Sequence, residues 1–265
     1  MGRLTIFAKG NLDIRDSLHS MRVNGAIVWN GVGPVARERH PGWTTRVRHE
    51  TFTRSDALAA AEGGVPAELA ERAPPLGAYP PQSQFSDAIF AGDADAYVLS
   101  IQPDLNTGLR RHRREGWVFY PEGQQRWSPA DRAWLAQSFE LSPPPGAEAA
   151  MASLSRVIER IRARSAAPIL VYNLSAAIPG DDVHLHRGLG ETLATRIRRF
   201  NLALTELSAR AGVSIIDVDR IVARGGADRL KLDALHLSAE GCRRVAEEVV
   251  RVLTDWGCFA DEVGP

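Results

Sequence analysis

Short strand-like runs, most of them largely apolar, alternate along this chain with longer amphipathic ones. Leu4–Ala8, Thr45–His49, Ala96–Ile101, Pro168–Tyr172 and Val213–Val218 have the length and β-branched or aromatic content of buried strands. Between them, apolar residues recur at helical spacing. In 150–164 Met151, Leu154, Val157, Ile158 and Ile161 share one face, and in 196–211 Ile197, Phe200, Leu204 and Leu207 do the same before Gly212 ends the pattern. A last helix is predicted over 238–256, with Ser238 as N-cap and Val245, Val249, Val252 and Leu253 facing inward. Strands alternating with helices predict βαβ units and a mostly parallel five-stranded sheet covered on both faces.

Two stretches break the alternation. Residues 62–84 are rich in Pro, Gly and Ala, and residues 106–146 carry Trp117, Tyr120, Trp127 and Trp134 among arginines. Neither has the character of a linker to a second core, and no internal repeat is present. The expectation is one domain over 1–265 with insertions at about 62–84 and 106–146. The insertion's aromatics suit either a small core of their own or a lid.

The composition narrows the function classes. The 265 residues carry a formal net charge of zero, so no nucleic-acid partner is expected. The one dense basic run, Arg110-Arg111-His112-Arg113-Arg114, suits a solvated helix face or a site for an anionic substrate group. No apolar run reaches the about 18 residues of a membrane span, and the N-terminus lacks the pattern of a signal peptide. Two cysteines, Cys242 and Cys258, are too few for a disulfide framework, which points to a reducing cytoplasm. Cys242 falls on the apolar face of the last helix. Arginine dominates the cations, as in a GC-rich bacterial genome, and the only lysines are Lys9 and Lys231. No Gly-x-Gly-x-x-Gly follows the first strand and there is no phosphate loop, so no cofactor is expected. The partner is a small molecule; composition does not fix the oligomeric state.

Chemistry concentrates near the C-terminus. Asp233-Ala234-Leu235-His236-Leu237-Ser238 places a carboxylate three residues before a histidine, directly ahead of the last helix. Such a pair forms the orienting half of a nucleophilic triad, in which the carboxylate fixes the imidazole tautomer. With Gly241, and with Asn201-x-x-Leu204-x-x-Leu207 and Gly212-Val213-Ser214-Ile215-Ile216-Asp217 upstream, this segment resembles the closing block of the SGNH/GDSL hydrolases. That resemblance implies a flavodoxin-like three-layer α/β/α fold and an esterase or acyl-transfer activity on a small, possibly anionic substrate. It assigns Asp233 and His236 as acid and base.

The earlier blocks match less closely. The family's Gly-Asp-Ser follows the first strand, where this chain has Lys9-Gly10-Asn11-Leu12; Asp16-Ser17-Leu18 comes six residues later. Two alignments follow. In one, which the spacing to the second block favours, Ser17 is the nucleophile on an extended turn and completes a Ser-His-Asp triad with His236 and Asp233. In the other, Asn11-Leu12 occupies the nucleophile turn with no serine there. The second block falls on residues 41–58 and puts the oxyanion-hole N–H at Thr51. The third falls on Leu99-Ser100-Ile101-Gln102-Pro103-Asp104, where Gln102 or Asn106 can present an oxyanion amide and Pro103 cannot. Asp13 and Asp16 read as local caps. Lys9, Lys231, Asn11, Asn106, His184 and His186 are candidate substrate contacts. His184-x-His186, next to Asp181 and Asp182, lacks a third histidine or cysteine nearby, and no metal site is expected from it. The alternatives to a serine esterase are an Asp233/His236 acid–base enzyme without a serine nucleophile, and a ligand-binding protein without turnover.

Overall fold

The computed structural model describes residues 2–182 and 184–260. Ten strands are present: β1 Gly2–Lys9, β2 Met21–Val23, β3 Ala26–Trp29, β4 Trp43–Glu50, β5 Ala96–Ser100, β6 Leu109–His112, β7 Val118–Phe119, β8 Phe139–Ser142, β9 Ile169–Tyr172 and β10 Ser214–Ile216. Five of them form the central sheet in the order β10-β9-β5-β1-β4, and every pairing in it is parallel. This is the doubly wound arrangement expected from the alternating pattern, and the strand order reverses between β1 and β5. In open sheets of this kind ligands bind at the carboxyl ends of the strands, beside that reversal.

The sheet is buried on both faces. Phe7, Tyr97, Leu99, Ile169 and Val171 pack on one side against the helices Ala147–Arg162 and Leu193–Ala211. Leu4, Ile6, Ala8, Val98 and Leu170 pack on the other against Val32–Arg39, Val218–Gly225 and Ala239–Asp255. A strand sandwiched this way must be apolar at nearly every position, which is why β1, β5 and β9 stood out in the sequence. β4 is an edge strand with half-buried Thr44, Thr45, His49 and Glu50, and its alternation is correspondingly weak. The strand expected over 213–218 is shorter, because Asp217 caps the next helix through the N–H of Arg220. Among the described residues no helix is long and apolar enough to cross a membrane.

The two interruptions converge. Leu69 and Leu76 from the first pack with Phe119, Trp127, Trp134, Leu135 and Phe139 from the second in a separate hydrophobic cluster. Its scaffold is a three-stranded antiparallel sheet in the order β7-β6-β8. The run Arg110–Arg114 is therefore no helix face: Arg110 to His112 lie on β6, with Arg113 and Arg114 at the turn beyond it. The antiparallel hairpin of β2 and β3 was not expected from the sequence.

Arg54 fastens this satellite to the main domain. Its guanidinium is almost wholly buried and donates to the carbonyls of Thr107, Ser142 and Pro143, to Ser142 Oγ and to both Asp56 carboxylate oxygens. Removing it strands buried acceptors and a carboxylate together. Arg54→Leu is expected to destabilise the fold by about 3 kcal/mol, measured by urea denaturation followed through tryptophan fluorescence.

Candidate functional site

The loop between the short helix Ala227–Leu230 and the last helix is a closed local structure. Lys231 bridges to Leu237, Leu232 N–H donates to His236 O at 2.8 Å, and Ser238 N–H donates to Leu230 O at 2.9 Å. Ser238 then caps the last helix by accepting the Gly241 N–H at 3.2 Å. Inside the loop Asp233 turns its carboxylate back on its own chain. Oδ1 accepts the N–H groups of Leu235 at 2.8 Å and His236 at 3.0 Å, and Oδ2 accepts Nδ1–H of His236 at 2.7 Å. The ring is held in the Nδ1–H tautomer, so Nε2 carries the lone pair on the far side from the carboxylate. Partial burial pushes the Asp233 carboxyl up. The His236 ring and the two N–H groups outweigh it and hold the carboxyl at about 2.

Lys231 braces this loop. Its buried ammonium donates to the carbonyls of Ser175 at 3.3 Å, Ala177 at 2.8 Å and Ala234 at 2.8 Å. It thereby ties the Asp233–His236 loop to the segment after β9. Burial lowers it to about 8, against the pull of Asp233 and Asp219. Lys9 is fully buried as well. It pairs with Glu50 Oε2 at 2.7 Å and donates to the carbonyls of Ser83 and Ser86. Neither ammonium is left for a substrate anion, which corrects the expectation that these lysines contact substrate.

Ser17 is not where a nucleophile must be. Gly10 and Asn11 turn β1 directly into the helical segment Leu12–Ile14, continued by Arg15–His19. A Cβ at Gly10 would sit 2.7 Å from Ile14 Cδ1, so any larger residue there would have to displace the Ile14 side chain. Ser17 lies a further turn along and faces the sheet, with no exposed surface. Its hydroxyl donates to Asp13 O at 2.7 Å and meets Tyr172 Oη at 3.1 Å. Among the described residues no hydrogen bond joins it to His236. Leu12, just past the turn, is 36% exposed.

The remaining candidates fall as follows. Thr51 is half buried at the end of β4 and donates its hydroxyl to Ala78 O at 3.1 Å. Gln102 is buried, with its N–H on Ser100 Oγ at 2.9 Å and Oε1 without a partner. Asn106 closes the short helix after β5. His184 and His186 are exposed on the loop after β9. Asn11 is half buried at the β1 turn.

Three features of this edge of the sheet had no signal in the sequence. The Asp13 carboxyl is buried beside Ser100, and burial raises it despite that hydrogen bond. His49 donates Nε2–H to Gly10 O at 2.9 Å, and burial lowers it. Tyr79 and Tyr120, from the two insertions, pack edge to face with centroids 4.8 Å apart. Burial pushes Tyr79 up to about 12, with Tyr120, Glu122 and Asp13 adding to it.

In the satellite, ligand atoms of Glu68, His112 and Glu115 come within 4.8 Å of one another. They are engaged with protein donors: His112 Nδ1 accepts the Glu115 N–H, and the Trp134 and Trp117 indoles donate to Glu68 and Glu115. That is a hydrogen-bonded cluster in an aromatic core, and nothing in it calls for a metal.

Residues 104–244, just over half of the chain, match the model of the GDSL-like lipase/acylhydrolase family. The chain belongs to this family. The match opens at Asp104, past the β1 turn and the end of β4, and includes the Asp233–His236 loop. This GDSL-family chain has no match among curated proteins. Its fold is shared with a putative SGNH hydrolase from Slackia heliotrinireducens, at 17% identity over 95% of this chain and 99% of that one, with a TM-score of 0.51. An alpha/beta hydrolase from the metagenome of Lake Arreo, Spain, shares 13% identity over 97% of each chain, with a TM-score of 0.51. A carbohydrate acetylesterase from Sinorhizobium meliloti shares 9% identity over 96% of this chain and 99% of that one, with a TM-score of 0.50.

Two outcomes test the loop. Lys231→Met leaves the carbonyls of Ser175, Ala177 and Ala234 without their donor. A loss of about 2 kcal/mol is expected in urea denaturation, with faster amide exchange at Leu232 and Ser238. For Asp233 the folded carboxyl lies below its ordinary value of 3.8, at about 2. Its contribution is complete above pH 4 and is lost as pH falls through 2. The melting temperature of wild type is therefore expected to exceed that of Asp233→Asn by a constant amount from about pH 5 upward, and the gap to close toward pH 2.

Proposed function

We propose that this family member is an acyl-ester hydrolase in which the Asp233–His236 pair activates water directly, with no covalent step on Ser17. The observation that carries this reading is the assembled pair, with Nε2 free of its carboxylate, set against a Ser17 hydroxyl locked between Asp13 and Tyr172. In the proposed reaction His236 Nε2 removes a proton from water. The water oxygen forms a bond to the acyl carbon, and the carbonyl electron pair moves onto its oxygen. Collapse of this intermediate breaks the ester C–O bond, and the imidazolium returns its proton to the departing alkoxide. Asp233 holds the ring and stabilises the imidazolium. The backbone N–H of Thr51 and the amide Nε2–H of Gln102 are the proposed donors to the oxyanion. Asn11 and Asn106 are the proposed polar contacts to substrate, with exposed His184 and His186 further out. Acetylated carbohydrate, the substrate type named for the Sinorhizobium enzyme, is a sensible first panel.

A second reading is favoured by the turn itself. Leu12 brings no hydroxyl to the end of β1, and Pro103 has no N–H to offer after β5. Both suit a protein that binds its ligand without turning it over.

A panel of short acyl esters and acetylated sugars, assayed with wild type, Ser17→Ala and His236→Ala, separates the possibilities. Water activation predicts that His236→Ala loses about 100-fold or more in kcat/KM. It also predicts that Ser17→Ala stays within a few-fold of wild type and that a fluorophosphonate probe leaves Ser17 unlabelled. Labelling of Ser17 in folded protein would sink the proposal in favour of a covalent serine mechanism. Ligand binding without turnover, undiminished in His236→Ala, would establish the second reading instead.

A further inference from the structure

Arg110 stands on the inner face of the satellite sheet. On β6 it lies opposite Phe119 of β7 and Leu141 of β8, and residues directly opposite share a face. His112 and Phe139, two residues along their strands, are on that face too. Phe119, Phe139 and His112 are buried there in the aromatic core. Arg110 therefore puts a fixed charge on a face that is otherwise aromatic and apolar. It is half-buried, and among the described residues its guanidinium makes no hydrogen bond and no ion pair. Charges so placed are normally paired.

A groove of about 550 Å³ opens between this end of the sheet and the helix Pro129–Ser138. That volume is typical of a small-molecule site and is about 10 Å across, so one small ligand reaches every wall. Arg110, Arg113 and Arg132 all line it. Its one carboxylate is Glu140, 3.6 Å from Arg113, which leaves an excess of two positive charges. Arg132 is already aimed: Nη1 donates to the carbonyls of Gln125 at 3.2 Å and Trp127 at 3.1 Å, and Nη2 is left for a ligand. Leu141 also lines the groove and is 61% exposed, an apolar surface beside the charges.

We propose that this groove binds a small dianion with an apolar body, a dicarboxylate or a phosphate monoester, its anionic oxygens on the Arg110 and Arg132 guanidinium groups and its body against Leu141. The planar fork of arginine matches carboxylate and phosphate oxygens two at a time. A ligand charge of minus two cancels the excess in the groove, and it supplies the counter-charge that Arg110 lacks. Gln124 and Gln125 stand in the same lining, and their amides donate and accept, which suits hydroxyl or amide groups on the ligand body. No residue of the groove belongs to the Asp233–His236 pair, so the site stands whether or not that pair is catalytic. It gives the satellite, built by two insertions together, a task of its own.

The test is titration calorimetry of the full chain at about pH 8 and low ionic strength, where exposed charges are least screened. The probes are phthalate and phenylphosphonate, each a dianion on an apolar ring, with benzyl alcohol as the uncharged analogue. The expected result is a Kd of about 1 mM or below for at least one dianion, no binding of benzyl alcohol, and a loss of about 10-fold or more in Arg110→Met. Phthalate alone identifies a dicarboxylate site, and phenylphosphonate alone a phosphate site. Binding of neither dianion overturns the proposal, as does equal binding of benzyl alcohol or full affinity in Arg110→Met. Methionine suits the apolar face, so Arg110→Met is expected to melt no lower than wild type. Should it fail to fold, Arg113→Gln at the exposed turn decides the matter: affinity weakened by a few-fold supports the site and unchanged affinity overturns it.

Discussion

A parallel sheet covered on both faces leaves its polar work to the loops at its ends, and those loops must be tied down by buried charge. In this chain two ammonium groups share that work with the buried Arg54 guanidinium. Lys9 and Lys231 are the only lysines, and both are buried. Each donates to three acceptors on loops far apart in sequence: Glu50, Ser83 and Ser86 for one, Ser175, Ala177 and Ala234 for the other. Arginine supplies the other fixed cations, and buried Arg54 combines both kinds of contact, a fork on the Asp56 carboxylate and three backbone carbonyls. A compact ammonium turns three rotatable donors on three acceptors. The two exceptions to the arginine bias thus mark two places where the loops around the carboxyl edge are pinned to the rest.

The Asp233–His236 geometry depends on one of these ties and otherwise on itself. Asp233 satisfies its carboxylate within three residues, through the Leu235 and His236 N–H groups and the His236 ring. Local hydrogen bonds of this kind favour a turn wherever Asp has N–H groups two and three residues ahead. The short loop sets the tautomer and the direction of Nε2, and Lys231 sets where the loop sits against the sheet. The same residues therefore close a turn and orient the His236 ring.

That division explains what could be read from the sequence. Buried strands and amphipathic helices are encoded by period, and Ile169–Tyr172 and Leu193–Ala211 came out close to their observed bounds. The Asp233–His236 pair was legible because its partners are neighbours in the chain. Ser17 was not, because its surroundings are set by how soon β1 turns into helix. A break at Gly10–Asn11 carries Ser17 past the edge and round to face Tyr172, 155 residues away in sequence. Asp13 looked like a cap for the same reason: only the pairing of β1 with β5 brings Ser100 to it. The satellite was visible as two irregular stretches, but its core needs both at once. Leu69, on the short helix Ala67–Arg72, and Leu76 in the loop beyond it have nothing to bury against until Phe119 and Trp134 arrive.

The two halves of the site are thus encoded by different means, and this bears on how such a site can change. A turn closed by local hydrogen bonds keeps its shape when distant residues alter. The edge between β1 and β5 has no such protection, because its residues meet only through strand pairing. Leu12 and Pro103 stand at that edge, and so do three side-chain oxygens, on Asn11, Asp13 and Gln102, without partners among the described residues. The sheet core ends one layer below, in Ala8 and Leu99, so the residues of this edge are not needed to hold the strands together. The hydrogen bonds of the Asp233–His236 turn draw nothing from this edge either. The two parts of the carboxyl end are therefore free to differ independently, one held by its own turn and the other by strand pairing.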